Sequence, residues 1–308
     1  MGYDVIGDVH GQDLKLKAML AQLGYRLRAG AYRHPEGRVA VFVGDLIDRG
    51  PGQVEVLKIV RRMAAAGSAR VVMGNHELNA IGFAMRGEDD AGWLRRHSAK
   101  NVAQHRAFLD QVGWDSPLHR DLVAWFRTLP AALDLGEIRV CHAWWDDERI
   151  AAATRAHDAD AGLAEEFLRA SFRKGEAAHE ALDGVTKGLE VELPSGHAFA
   201  DHGGVRRTAV RVRWWDDEAT TFRESALVPD EQRGRVPDVR LPDGVKMGNP
   251  SPVPVFVGHY WLTGVPGPQN ENTAVLDYGA GLDGPLVAYR WDGEPRLDAD
   301  RFTCAGRP

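Results

Sequence analysis

Short apolar runs recur along the chain, and five of them end on a side chain able to hold a cation: YDVIGD at Asp8, VAVFVGD at Asp45, RVVMGN at Asn75, IRVCH at His142 and PVFVGH at His259. Runs of this length, rich in β-branched residues, read as buried strands. Between the first three the period changes. Gln12 to Leu23 has apolar residues at helical spacing, Val39 to Val43 is a strand, Pro51 to Ala66 starts with Pro near a helix N-terminus and stops before Gly67, and Arg70 to Met73 is the next strand. The order β-α-β-α-β is that of an α/β sheet with its ligands gathered at one strand edge. Asn101 to Leu129 is helical again, followed by short strands at Ala132 to Leu135 and Ile138 to Cys141. The segment 149–205, whose stretch to 190 is rich in Ala and charge without a strand-like run, reads as a helical cap inserted in a single domain spanning 1–308. Residues 228–254 are dense in Pro, Gly, Asp and Arg and read as an ordered loop, and 273–292 returns to strands.

A ligand on the residue just past a strand end is held by a stiff element. Four of the five carry Gly immediately before the ligand, which permits positive φ and close backbone approach. Asp8 and His10, two apart on a turn, can face one ion, and carboxylate with imidazole suits Mn, Fe, Zn or Co better than Mg or Ca. Asp45 can bridge to a second ion that takes Asn75, His142 and His259. Two divalent transition-metal ions, Mn being the expected pair, lie about 3.5–4 Å apart in such sites, share a hydroxide that is nucleophilic at neutral pH, and stabilise both oxygens of an in-line displacement. Phosphate esters are the natural substrate. One such Asp or His alone would read as a turn cap; five together do not.

Composition narrows the alternatives. With 308 residues, 44% hydrophobic content and 9 Trp, the chain can bury one large core or two smaller ones. No apolar run approaches the roughly 18 residues of a membrane span, and the opening MGYDVIGD already belongs to a strand, so a soluble cytoplasmic protein without a signal peptide is expected. Cys141 and Cys304 are too few and too far apart for a zinc knot or redox motif, and Cys141 reads as a small core residue. A net charge of −6 and a pI near 6.1 argue against a nucleic-acid coat protein, so phosphate binding must be local. WWDDE occurs at 144–148 and 214–218 in unlike surroundings, which is coincidence; one Trp of each pair is expected to be buried for packing. His34, His97, His105, His119, His157, His179 and His197 lie outside every strand-end motif and read as surface residues.

GDVHG at 7–11, GDLIDRG at 44–50 and GNHE at 74–77 resemble, in that order, the calcineurin-like metallophosphoesterases, specifically the phosphoprotein phosphatase branch with its bacterial relatives. The resemblance covers residues 3–80 strongly, with 138–142 and 253–261 moderately. It implies two stacked mixed β-sheets flanked by helices, a four-layer α/β sandwich. It also implies roles: Asp8, His10 and Asp45 on one metal, and Asp45, Asn75, His142 and His259 on the other. His76 would be the general acid oriented by Asp48, and Arg49 the phosphoryl clamp, while Glu77 and Asn79 would support the turn.

The departures bear on substrate. The family has a Gly pair after the fourth ligand, where this chain has HAWW; a Gly pair follows His202 instead, making His202 a rival to His142, but ADHGG lacks the apolar strand that should present it. Tyr260 follows His259, without the second His that the nuclease and phosphodiesterase branches place two residues on, which favours the phosphatase branch. Arg211 and Arg213 both offer the second phosphate contact, on one face of an expected strand. The expected activity is hydrolysis of phosphoserine or phosphothreonine monoesters. The alternative is a nucleotide hydrolase similar to the symmetrical diadenosine tetraphosphatases, which would use the cap to close over a small substrate. A silent scaffold has no reason to keep Asp48, Arg49 and His76.

Overall fold

The computed structural model describes residues 2–88, 92–201 and 204–306; His202 therefore lies outside the described residues. Nine strands build two sheets: β1 (Tyr3–Ile6), β2 (Val39–Phe42), β3 (Ala69–Val71), β4 (Ala132–Asp134), β5 (Arg139–Cys141), β6 (Val255–Val257), β7 (Thr273–Val275), β8 (Leu286–Trp291) and β9 (Phe302–Ala305). The first sheet has the order β9-β8-β1-β2-β3 and the second β7-β6-β5-β4. β1, β2 and β3 are mutually parallel, as are β5, β6 and β7, while β4, β8 and β9 run antiparallel to their neighbours.

Alternation along the strands sends one set of side chains between the sheets and the other under helices. Val5, Val39, Val41, Val140, Phe256, Val287 and Tyr289 meet in the layer between the sheets. Ile6, Ala40, Phe42, Val255 and Val257 face the helical layers. These are supplied by α1 (Asp13–Gln22), α2 (Gln53–Ala65), α3 (Asn75–Ala84), α4 (Ala99–Val112) and α5 (Pro117–Arg127). This is the mixed α/β sandwich that the motifs imply. The expected helix over Asn101 to Leu129 is two helices, because Gly113 at φ 74° ends α4 and Ser116 caps α5 through His119 N–H at 3.0 Å.

The insertion is helical only as far as Lys187, in α6 (Asp147–Arg155), α7 (Glu165–Ser171) and α8 (Ala177–Lys187). From Glu190 it turns to short antiparallel pairs, 190–192 with 209–211 and 199–200 with 206–207. Val191, Phe199, Val210, Val212, Phe222 and Val236 give this part an apolar cluster of its own. No helix among the described residues is long and apolar enough to cross a membrane.

Asp4 is the exception to the apolar pattern of β1. Fully buried, it accepts from Arg38 Nε at 3.0 Å, Arg38 Nη2 at 3.1 Å and Arg290 Nε at 2.9 Å, joining β1 to β8 and to the entry of β2. Removing one member of such a cluster strands buried charge. Asp4→Ala is expected to lower the unfolding free energy by about 3–5 kcal/mol in urea denaturation.

Candidate metal centre and active site

Parallel strands put their C-terminal ends on one side, and the loops leaving β1, β2, β3, β5 and β6 deliver Asp8, Asp45, Asn75, His142 and His259 to one point. Asp45 is the hub. Its Oδ2 lies 3.6 Å from His10 Nε2, 3.4 Å from His142 Nε2 and 3.8 Å from His76 Nε2, and its Oδ1 accepts the His76 backbone N–H at 2.8 Å. His10, Asp45 and His76 form one cluster able to hold an ion, and Asp45, His142 and His259 a second.

Two glycines show what this crowding requires. Gly44 has φ +99°, and a Cβ there would sit 2.5 Å from Gly74 N. A Cβ on Gly258 would sit 1.9 Å from Asp8 Oδ1, so that position needs the missing side chain. The left-handed backbone falls mainly on the functional residues themselves: His10 (φ 46°), Asp45 (50°), Asp48 (69°), Arg49 (70°), His259 (72°) and Trp261 (50°). Such conformations cost of order 1–3 kcal/mol each and persist only where the surroundings enforce them.

Backbone carbonyls aim the imidazoles. His10 Nδ1 faces Ile47 O at 2.8 Å and His142 Nδ1 faces Val43 O at 2.7 Å, so each donates there and turns Nε2 inward. Asn75 Oδ1 lies 3.0 Å from His142 Nε2 and 2.8 Å from His259 Nδ1. Asp8 accepts the His259 backbone N–H through Oδ2 at 3.1 Å, while Asp8 Oδ1, His10 Nε2 and His259 Nε2 are buried without a hydrogen-bond partner among the described residues. Burial and the neighbouring Asp277 charge raise the Asp8 carboxyl well above its usual range. Burial and the charge of His76 push His10 down to about 3, and burial with Arg211 lowers His259. Burial works against a charged His142, but Asp45 and Asp8 outweigh it and raise the ring to about 10. Converging orphan lone pairs with carboxylates this uncomfortable fit divalent cations, whose binding would displace the protons.

His76 lies beside this cluster. Its Nδ1 is 2.5 Å from Asp48 Oδ2, and although burial disfavours the charged ring, Asp45 and the Asp48 bond prevail and raise its pKa. Glu77 supports the turn: its carboxylate accepts Asp45 N–H and Leu46 N–H at 2.9 Å each and Gly74 N–H at 3.0 Å. Asn79 instead receives Arg95. The Arg49 guanidinium lies 3.9 Å over the Trp261 ring, and Asp277, buried, accepts Trp261 N–H at 2.9 Å.

Arg49, Asn75, His76 and His259 open into a groove of about 940 Å³ that Arg207, Arg211, Arg213, Trp215 and Trp261 also line. Arg211 ends its strand and Arg213 lies beyond it, so strand alternation does not govern the pair, yet both reach the groove. Among its lining residues none comes from the 149–205 segment; Arg207, just beyond it, does line the groove.

Several expectations need correction. All four tryptophans of the WWDDE segments are buried, not one of each pair. His105 and His119 are buried in the helical layer, while His34, His157 and His179 are half-buried and His97 and His197 are exposed. The functional contacts missed from sequence are His105, Asp277 and Trp261. His105 had a signal: it shares the i, i+3, i+7 stripe of α4 with Phe108 and Val112.

The sequence model of the calcineurin-like phosphoesterase family matches residues 1–175, more than half of the chain. The chain belongs to the calcineurin-like phosphoesterase family. That membership places it among phosphoric ester hydrolases. It is 47% identical over 76 residues to the asymmetrical bis(5'-nucleosyl)-tetraphosphatase PrpE of Halalkalibacterium halodurans, a match covering 25% of this chain and 31% of that one. The shared segment is thus about a third of that relative's length. Similarity to the symmetrical bis(5'-nucleosyl)-tetraphosphatase of Vibrio cholerae is lower, at 26%, but spans 99% of this chain and 98% of the relative. Among solved structures, a serine/threonine phosphatase of Saccharomyces cerevisiae aligns at TM-score 0.49 and 13% identity, covering 100% of this chain and 80% of its own.

Experiment can separate the two rival fourth ligands. His142→Ala should reduce bound metal while His202→Ala leaves it near normal, as measured by elemental analysis of the metal-loaded protein; the reverse pattern would move the ligand to the HGG segment.

Proposed function

We propose that the chain is a metal-dependent phosphoesterase acting on nucleoside polyphosphates. The observation that carries this is the row of guanidinium groups in one groove: Arg207, Arg211 and Arg213 beside Arg49. A single phosphoryl group needs a clamp and one further cation, whereas a polyphosphate chain can engage several. Each of the three has an acidic neighbour, Asp201 at 2.6 Å, Glu190 at 3.2 Å and Asp216 at 3.4 Å, that a polyanion could displace. Half-buried Trp261 in the same groove offers apolar surface to a base. The tetraphosphatase names of the two relatives support the same substrate class.

Asp8, His10 and Asp45 would hold one ion and Asp45, Asn75, His142 and His259 the other. When bound, the ions would supply Lewis acidity and an activated water for in-line displacement. Arg49, braced on Trp261, would orient the phosphoryl oxygens, and Arg211, whose charge reaches His259, would take the far side. His76, with Nδ1 fixed on Asp48, would give a proton from Nε2 to the leaving oxygen.

The phosphoserine and phosphothreonine reading stands second. It is favoured by the groove being walled by 207–231 and 259–269 without cover from the helices at 149–190. The Mn-loaded enzyme given a dinucleoside tetraphosphate, a phosphopeptide and an aryl phosphate side by side should turn over the tetraphosphate with the highest kcat/KM. A phosphopeptide leading the three would reverse the assignment. Arg211→Ala should cost about 10–100-fold in kcat/KM on the tetraphosphate and much less on the aryl phosphate. His76→Ala should keep its metals yet lose on the order of 10²–10⁴ in rate where the leaving oxygen is poor, and far less on an activated aryl phosphate.

A further inference from the structure

His105 is a buried histidine outside the metal cluster, projecting from the middle of α4, 57 residues from the carboxylate it touches. Its Nδ1 lies 2.7 Å from Asp48 Oδ1, while the other oxygen of the same carboxylate holds His76 Nδ1 at 2.5 Å. Its ring sits in an aromatic slot, 5.2 Å from Phe83 and 4.9 Å from Phe108, to which it is inclined by 30°. Nε2 is buried with no hydrogen-bond partner among the described residues.

Packing alone does not account for this residue. Phe in the same slot would fill the aromatic contacts without a stranded ring nitrogen, which costs about 1–3 kcal/mol. What the imidazole adds is one N–H aimed at Asp48. Asp48 needs holding. It sits at φ 69° in the sharp turn after β2, and its backbone is pinned by Gln53 Oε1, which accepts Asp48 N–H at 2.8 Å. That bond fixes the main chain but leaves the carboxylate free to rotate about its last torsion. A donor on the second oxygen removes that freedom.

We propose that His105 is a positioning residue that clamps Asp48, so that a His105–Asp48–His76 relay holds the acid imidazole in its proton-donating orientation. The inference rests on His76 serving as general acid. His105 touches neither substrate nor the candidate metal ligands; its influence passes through one carboxylate. Loss of the clamp should therefore act on leaving-group protonation and leave metal binding intact.

The test uses aryl phosphates from para-nitrophenyl to phenyl phosphate with the Mn-loaded, full-length enzyme, comparing His105→Phe, His105→Asn and His76→Ala. His105→Phe keeps the ring and removes the donor; His105→Asn returns an N–H near the position of Nδ1. Expected for His105→Phe are normal metal content, a para-nitrophenyl phosphate rate close to wild type, and a loss of about 10–100-fold on phenyl phosphate. His105→Asn should recover most of that loss. Equal losses across the series, loss of metal, or an Asn variant no better than Phe would assign His105 to packing and overturn the relay. Should the Phe variant not fold, His105→Ala against His105→Asn carries the same comparison. A His76→Ala enzyme without leaving-group dependence would instead remove the acid itself, a failure distinguishable because it appears with His105 untouched.

Discussion

Everything at this site is arranged around a carboxylate that is expensive to bury. Asp45 is 2% exposed, sits on left-handed backbone, and has three imidazole nitrogens within 3.8 Å. Burial alone would neutralise it, but the charges of His142 and His76 outweigh burial and hold it well below the usual carboxylate range. That balance depends on strand ends from two different sheets arriving within hydrogen-bond reach of one another. Gly44 and Gly258 permit the approach, Glu77 ties the backbone of Asp45 and Leu46 to the start of α3, and Val43 and Ile47 aim the rings. The sandwich supplies a rigid frame, and the strain falls on the residues that meet inside it.

What was legible in the sequence was whatever is written locally. A β-branched run ending on a ligand is contiguous, so all five strand ends and His10 could be named from their own neighbourhoods, while Asp48, Arg49 and His76 were named through the family resemblance that their motifs carry. Contacts that join distant segments carry no such mark. Asp277 binds Trp261 across 16 residues and Trp261 supports Arg49, yet neither stands in a motif. Asp4 meets Arg290 across 286 residues. His105 was hidden differently: its helical stripe was readable, but a histidine on that stripe looks like a tolerated polar residue until Asp48 is seen beneath it. Ala and charge dominate 149–190 and set the expectation of helix through 205, whereas from Glu190 the chain pairs as short strands, and of this part of the chain only residues past 205 line the groove.

Two layers of function can be separated. On the proposed reading, the cluster around Asp45 would supply phosphoester chemistry indifferent to what carries the phosphate. On the same reading, selectivity would reside in the wall built from 207–231 and 259–269, where Arg207, Arg211, Arg213, Trp215 and Trp261 face the same space. These residues lie largely beyond the segment matched by the family model. His259 of the candidate metal cluster also lies beyond that segment, and the groove wall is built from later loops, as expected when loops on a rigid scaffold set the substrate.

On the proposed reading, five strand ends would hold two ions that share Asp45. Anomalous diffraction from crystals of the Mn-loaded protein tests it most directly. Two peaks about 3.5–4 Å apart are expected on either side of the Asp45 carboxylate, one beside Asp8 and His10 and one beside Asn75, His142 and His259. A single peak, or Mn bound only away from Asp45, would contradict it.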